Sequence, residues 1–278
     1  MDPAAVAARA RTENFPVASL LFPRALRPHL RAVYGFARLV DILGDEAEGD
    51  RLALLDELER EVEACYDGSP TWPVMQELKP TIEEFDLPRE PFLRLIEANR
   101  MDQRRRRWDT HEELVHYCRH SATTVGEMVL GVLGYRDAWR VGMSDATCIG
   151  LQLVNFWQDI ARDLRDRDRI YLPRESMERF GVTEDDLRAP SASPDVRALV
   201  AAEVGLARGY LLRGEPLHRF VPRRVSLDLR MFSAGGLALC DAIAAQDHDT
   251  LRRRPAPGRL GRARIGASAL RRALRGRG

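Results

Sequence analysis

Lysine is almost missing from this chain: Lys79 stands alone beside a large excess of arginine. The imbalance reads as genomic composition bias, because most of the arginines are interleaved with acids and lack the interleaved aromatics of a nucleic-acid binder. Cysteine is scarce as well. Cys65, Cys118, Cys148 and Cys240 lie far apart with no C-x-x-C pair, which indicates neither a zinc site nor a disulfide framework. No run approaches the ~18 apolar residues that span a bilayer, and the opening "MDPAAVAARARTENF" has no apolar signal core, so a cytoplasmic protein is expected. No repeat of 20–50 residues is present, which argues against a solenoid.

What is present is apolar helix-forming material. The 278 residues are 45% hydrophobic and 31% charged, enough for a sizeable core. A formal charge of +1 hides a split, because residues 252–278 carry ten arginines and no acid and leave −9 on the rest. Segments 24–47, 51–66, 91–107, 111–131, 144–165, 196–213 and 224–246 show apolar residues at spacings of three and four, with almost no alternating β-branched runs. Breaks fall at "DGSPTWP", "DLPRE", "GYRD", "YLP" and "LRAPSASPD". The expectation is an all-α, single-domain helical body over 1–250, followed by a flexible Arg-rich extension over 251–278. That extension either stays solvated or meets anionic lipid headgroups, where each Arg contributes roughly 1 kcal/mol.

Two stretches set acids and amides among apolar neighbours. In "LQLVNFWQDIARD", Gln152, Asn155, Asp159 and Asp163 fall within an arc of roughly 80° on one helix face. In "YGFARLVDILGDE", Tyr34, Arg38, Asp41 and Asp45 share a face in the same way, beside Val33, Phe36, Leu39, Val40 and Leu43. Either stripe alone reads as a solvated face, and Arg38, Arg162 and Arg165 offer ion pairs. Two such stripes together favour a hard-cation site, since Mg²⁺ takes oxygen ligands and is commonly held by few carboxylates plus substrate phosphates. None of the six histidines lies on either stripe, which disfavours zinc or iron. His116 and His120, four apart, read as a satisfied or surface pair. The Glu-x-x-His pairs of a di-metal bundle are missing from the stripes.

The ordered series "RAVYGFARLVD", "MDQRRRRWDTHEELVHYCRHSATTVGEM", "LQLVNFWQDIARD" and "RIYLP" resembles the squalene/phytoene synthase family of class I isoprenoid synthases, from about residue 13 to about 250. The opening "ENFPVASLLFPRALRPHLRAVYGFARLVD" and the "NFWQDIARD" motif are similar to the bacterial hopanoid-pathway hydroxysqualene synthase branch. The resemblance implies one helical bundle around a deep apolar cavity. It also implies that Asp41 and Asp45 form a first magnesium motif, and Asn155, Asp159 and Asp163 a second. It makes Gln152 and Tyr34 substrate-facing polar residues, Arg38 a diphosphate-contacting arginine, and Tyr117 the tyrosine near the carbocation. Arg169 and Tyr171 would cap the second motif, and Arg162 would reach diphosphate or pair with Asp159 or Asp166. Where many members have paired aspartates this chain has Asp41 followed by Ile42, about 100° off the stripe.

The implied chemistry is ionisation of presqualene diphosphate with two or three Mg²⁺ ions, followed by quenching with water to give hydroxysqualene. Tyr117, Arg38, Asp41 and Asp159 would carry the catalysis. Ala122, Gly126, Gly131 and Gly134 either leave room for prenyl chains or allow close helix approach. No G-x-G-x-x-G follows a strand, and no NADPH is expected. The alternatives are head-to-head prenyl transfer forming presqualene diphosphate or phytoene, and a non-catalytic helical scaffold. A nucleic-acid binder would rest only on the basic extension and "RRRR" at 104–107, and no nucleic-acid partner is expected. The expected partner is a prenyl diphosphate. Peripheral contact with the inner membrane surface would run through the basic extension.

Overall fold

The computed structural model describes residues 22–256. Its helices, in chain order, are α1 (Arg27–Asp41), α2 (Arg51–Asp67), α3 (Pro73–Phe85), α4 (Glu90–Arg104), α5 (His111–Ser121), α6 (Thr123–Val132), α7 (Ala138–Arg167), α8 (Arg174–Arg179), α9 (Glu184–Leu187), α10 (Pro194–Gly214) and α11 (Arg223–Ala244). A π-helical turn (Ile42–Glu46) continues α1, and a 3₁₀ turn (Glu215–Phe220) joins α10 to α11. No strand occurs among the described residues; a single bridge links Arg107 and Ile170. The protein is all-α, as its sequence periodicity predicts. The long apolar spacings become helices because one stripe of each is buried, as with Leu30, Val33, Phe36, Leu39 and Val40 of α1. Polar side chains close the ends: Asp50 accepts from the Ala53 N–H, Ser193 accepts from the Val196 N–H, and Thr183 and Asp186 form a reciprocal capping box.

The contacts divide the chain into two compact units, Met1–Arg105 with Arg119–Val141, and Arg106–Cys118 with Gly142–Gly278. In the first, α1 packs on α3, α4 and α6, and α2 packs on α3 and α4. Phe36 and Phe92 meet edge to face at 5.1 Å across the α1–α4 contact. In the second, α10, α11 and the 3₁₀ turn pack together. The chains approach closely where side chains vanish: a Cβ on Gly150 would stand 2.8 Å from Leu211 Cγ and 3.0 Å from the Ala207 carbonyl oxygen.

Several elements differ from the sequence expectation. Helix α3 is an addition. The segment 111–131 is two helices, interrupted where Thr123 and Thr124 turn their hydroxyls back onto the carbonyls of Arg119 and His120, at 2.8 and 3.0 Å. Gly134 is exposed at φ 81°, a left-handed turn residue and not a cavity wall. Gly131 serves close packing, since a Cβ there would lie 2.5 Å from Leu87 Cδ2. No helix among the described residues is long and apolar enough to cross a membrane. Of the Arg-rich extension, residues 251–256 are described, with Pro255 buried; residues 257–278 lie outside the described residues.

Candidate functional site

The first stripe lies where α1 passes into the π turn. Ala47 N–H donates to the Ile42 carbonyl at 2.8 Å, an i→i+5 bond that widens the last turn and places Asp45 within it. Asp41 is exposed, Asp45 is half-buried, and Ile42 and Leu43 point into the core. Position 42 is therefore a packing position, and an acid there would need burial. Gly44 fixes this geometry: a Cβ would lie 2.0 Å from Asn99 Oδ1, and the Gly44 carbonyl accepts from Gln103 Nε2 at 2.8 Å. Arg38 Nη2 donates to Glu46 Oε1 at 2.9 Å, an acid that lies off the stripe. Tyr34 is half-buried on the same helix.

The second stripe runs along α7. Asn155 is exposed, Gln152 and Asp159 are half-buried, and Asp163 is buried. Asp163 is pushed up to about 6, first by burial and then by the neighbouring Asp159 charge, against the lowering pull of Arg167, Arg162 and Arg169. Arg167 Nη1 is 3.5 Å from its Oδ1, and the Arg169 N–H donates to its main-chain carbonyl at 3.1 Å. Asp159 is gripped from the far end of the chain: Arg254 Nε donates to Oδ1 at 2.5 Å and Nη2 to Oδ2 at 2.9 Å. Gln158 fastens the same strand of chain, accepting from Arg254 Nη2 at 2.8 Å and donating to the Pro255 carbonyl at 2.6 Å. Arg162 stands 3.9 Å from Asp159, so Arg254 and not Arg162 is its main ion-pair partner.

Beside this stripe is an aromatic box. Phe156 and Tyr171 stack at 3.7 Å with planes 8° apart, Trp108 lies 4.6 Å from Tyr171, and Tyr117 is 5.3 Å from Trp108 and 5.8 Å from Tyr171. All four rings are buried. With Tyr171 stacked against both Phe156 and Trp108, the four rings form one packed aromatic cluster. The basic run at 104–107 has structural partners: Arg104 meets Glu97, Arg106 meets Asp168, and Arg107 forks onto Glu184 through Nε and Nη2 at 2.7 and 2.9 Å.

Among the described residues, no three His, Cys, Asp or Glu side chains form a metal-binding group. The α7 donors nevertheless fit a hard divalent cation. They are all oxygens, they share one face, and Asp163 is a buried acid whose ionised form lacks sufficient compensating charge.

A long helix bearing acids and an amide beside a cluster of aromatic rings, within an all-α chain, defines a helical protein with an acidic stripe set against aromatic side chains. Comparison with known proteins narrows the class. The family model "Squalene/phytoene synthase" matches residues 8–261, and the chain belongs to that family. It is 37% identical to a hydroxysqualene synthase of Rhodopseudomonas palustris over 201 residues, 71% of this chain and 66% of the relative. It is 33% identical to a 15-cis-phytoene synthase of Synechocystis sp. over 269 residues, 89% of this chain and 78% of the relative. The solved squalene synthase HpnC of Alicyclobacillus acidocaldarius superposes with a TM-score of 0.83 at 47% identity, covering 88% of this chain and 94% of that one. The fold is the isoprenoid synthase fold. The family normally uses a divalent metal with a prenyl diphosphate substrate.

Proposed function

We propose that this chain converts presqualene diphosphate to hydroxysqualene and diphosphate, with water quenching the carbocation. The observation that carries the reading is the 37% identity to a hydroxysqualene synthase over 71% of this chain. The residues that would hold Mg²⁺ are Asp41 and Asp45 in one motif and Asn155, Asp159 and Asp163 in the other. Bound there with the substrate, Mg²⁺ would supply charge neutralisation for the departing diphosphate, several kcal/mol in a water-poor site. The chain's own residues supply the rest. Arg38 and Arg254 present guanidinium groups suited to bidentate diphosphate oxygens once their carboxylate partners are drawn elsewhere. The packed cluster of Tyr117, Trp108, Phe156 and Tyr171 would exclude water beside the second stripe. Arg169 and Tyr171 close the end of the second stripe, and Gln152 and Tyr34 supply polar contacts at the head group.

Incubation with presqualene diphosphate and MgCl₂, with products separated by gas chromatography, tests this. Hydroxysqualene from presqualene diphosphate and no product from farnesyl diphosphate is the expected result. Presqualene diphosphate from farnesyl diphosphate, or phytoene from geranylgeranyl diphosphate, would establish head-to-head prenyl transfer instead.

A further inference from the structure

Helix α10 turns an uncharged face to water. Between Asp195 and Arg213 its exposed residues are Ala198, Ala202, Gly205, Leu206, Gly209 and Leu212, and none of these carries a polar side chain. At 100° per residue they and the two charged residues fall within an arc of about 120°, so they form one stripe. The solvent side of a helix is ordinarily charged, as on α2, which exposes Asp56, Glu57 and Arg60. On α10, Leu206 and Leu212 are instead 48% and 55% exposed.

Packing within the chain does not account for the glycines of this stripe. A Cβ added to Gly205 or Gly209 would meet nothing within 4 Å outside its own stretch of helix. One on Gly214, in the last turn of the same helix, would lie 2.1 Å from Thr147 Oγ1 and 2.5 Å from the Met143 carbonyl oxygen. Glycine inside a helix weakens it relative to alanine, so Gly205 and Gly209 give up stability with no return in a single chain. They do flatten the stripe, which lets a second helix approach closely. The two ends of the stripe carry opposite charge. Asp195 and Arg213 stand about five whole turns apart and so project in the same direction. Both are exposed, and neither has an ion-pair partner among the described residues; Arg213 lies over the Tyr210 ring at 4.1 Å.

We infer that a second copy of this chain docks on this face, the two α10 helices crossing antiparallel about a two-fold axis near position 204. That position is midway between Asp195 and Arg213, so the axis sets Asp195 against the partner's Arg213, and Arg213 against the partner's Asp195. The same axis lays Leu206 over the partner's Ala202 and brings Gly205 to the crossing, where a side chain would hold the backbones apart. A parallel pairing sets acid on acid and arginine on arginine, which works against it. A lipid surface fits the stripe less well, because an anionic bilayer repels Asp195 and finds only two long apolar side chains to take up. One helix crossing one helix makes a small interface, so the dimer belongs to the micromolar range and not the nanomolar. Docking here uses no residue of the two acidic stripes.

Sedimentation equilibrium of the full chain over a micromolar concentration series is the test. The wild type should follow a monomer–dimer equilibrium, and Leu206→Glu, which sets an unpaired charge into the contact, should weaken it at least about tenfold. Asp195→Arg and Arg213→Asp should each weaken it about fivefold, and the chain carrying both exchanges should regain wild-type association. A wild type that stays monomeric overturns the proposal, and one that is monomeric yet co-sediments with phosphatidylglycerol vesicles gives the face to lipid instead. A dimer indifferent to Leu206→Glu, or a double exchange that restores nothing, overturns it as well. Should a charge variant fail to fold by circular dichroism, oxidative cross-linking decides. Gly205→Cys, beside the axis, should give a disulfide-linked dimer, and Leu212→Cys, remote from it, should not; equal cross-linking of the two overturns the arrangement.

Discussion

Arg254 and Asp159 form a two-point ion pair across 95 residues of sequence, Nε to Oδ1 and Nη2 to Oδ2. The arginine leads into a basic extension, and the aspartate is the middle member of the α7 stripe. On the proposed function, the pair places a fixed positive charge where the second motif would hold a divalent one.

On that reading Arg254 would compete with Mg²⁺ for Asp159. Half of its side chain is solvent-exposed, so Arg254→Ala should cost ~1 kcal/mol or less in stability. It should tighten divalent binding about threefold, by the same modest energy. Calorimetric titration with Mn²⁺ checks this, and weaker binding in the variant would contradict it.

Asp163 gives a pH dependence with a definite sign. Its folded pKa lies above the ordinary 3.8 at about 6, so the native state holds the proton more tightly than the unfolded chain. Its contribution to stability is full below about 4 and is lost as pH rises through about 6. The span corresponds to at most about 3 kcal/mol. In EDTA, Asp163→Asn should raise Tm at pH 8 by several degrees, with a much smaller gain at pH 4, while abolishing diphosphate release. Differential scanning calorimetry at the two pH values checks the first half, and a phosphate assay the second.

Gly44 cannot carry a side chain as the protein stands. Gly44→Ala sets a Cβ 2.0 Å from Asn99 Oδ1 and should destabilise by about 1–3 kcal/mol. Because Asp45 sits in the same π turn, diphosphate release should fall with it. Adding Asn99→Ala should restore part of the lost stability, and a urea-denaturation double-mutant cycle measures the coupling.

Arg107 acts as a clamp between Glu184 and Asp168. Arg107→Ala should lower the urea midpoint by an amount equivalent to about 1–3 kcal/mol, a loss that shrinks in high salt. Filter binding with single-stranded oligonucleotides should show no difference between the variant and the wild type.

The sequence displays what repeats along a helix and hides what depends on distance. The α7 stripe is legible because Asn155, Asp159 and Asp163 are spaced by one helical period. Helix α3 is not, because Pro73 and Pro80 bracket a short stretch, residues 74–79, and read as punctuation. Pro73 occupies the first turn, where its missing N–H is harmless, and Val74, Met75, Leu78 and Ile82 bury enough to carry Pro80 inside the helix. The π turn escapes a reading at 100° per residue because one extra residue in a turn leaves Asp41 and Asp45 nearly aligned. Arg254 sits in a run of arginines with no period, so nothing local marks it as the partner of Asp159.

The anchoring of residues 254 and 255 also sets where the polypeptide can be shortened. A chain ending at Ala256 retains every contact that Arg254 and Pro255 make with Gln158 and Asp159. One ending at Arg253 releases a carboxylate and an amide on α7 at a stroke, so a three-residue choice of terminus separates two differently charged proteins.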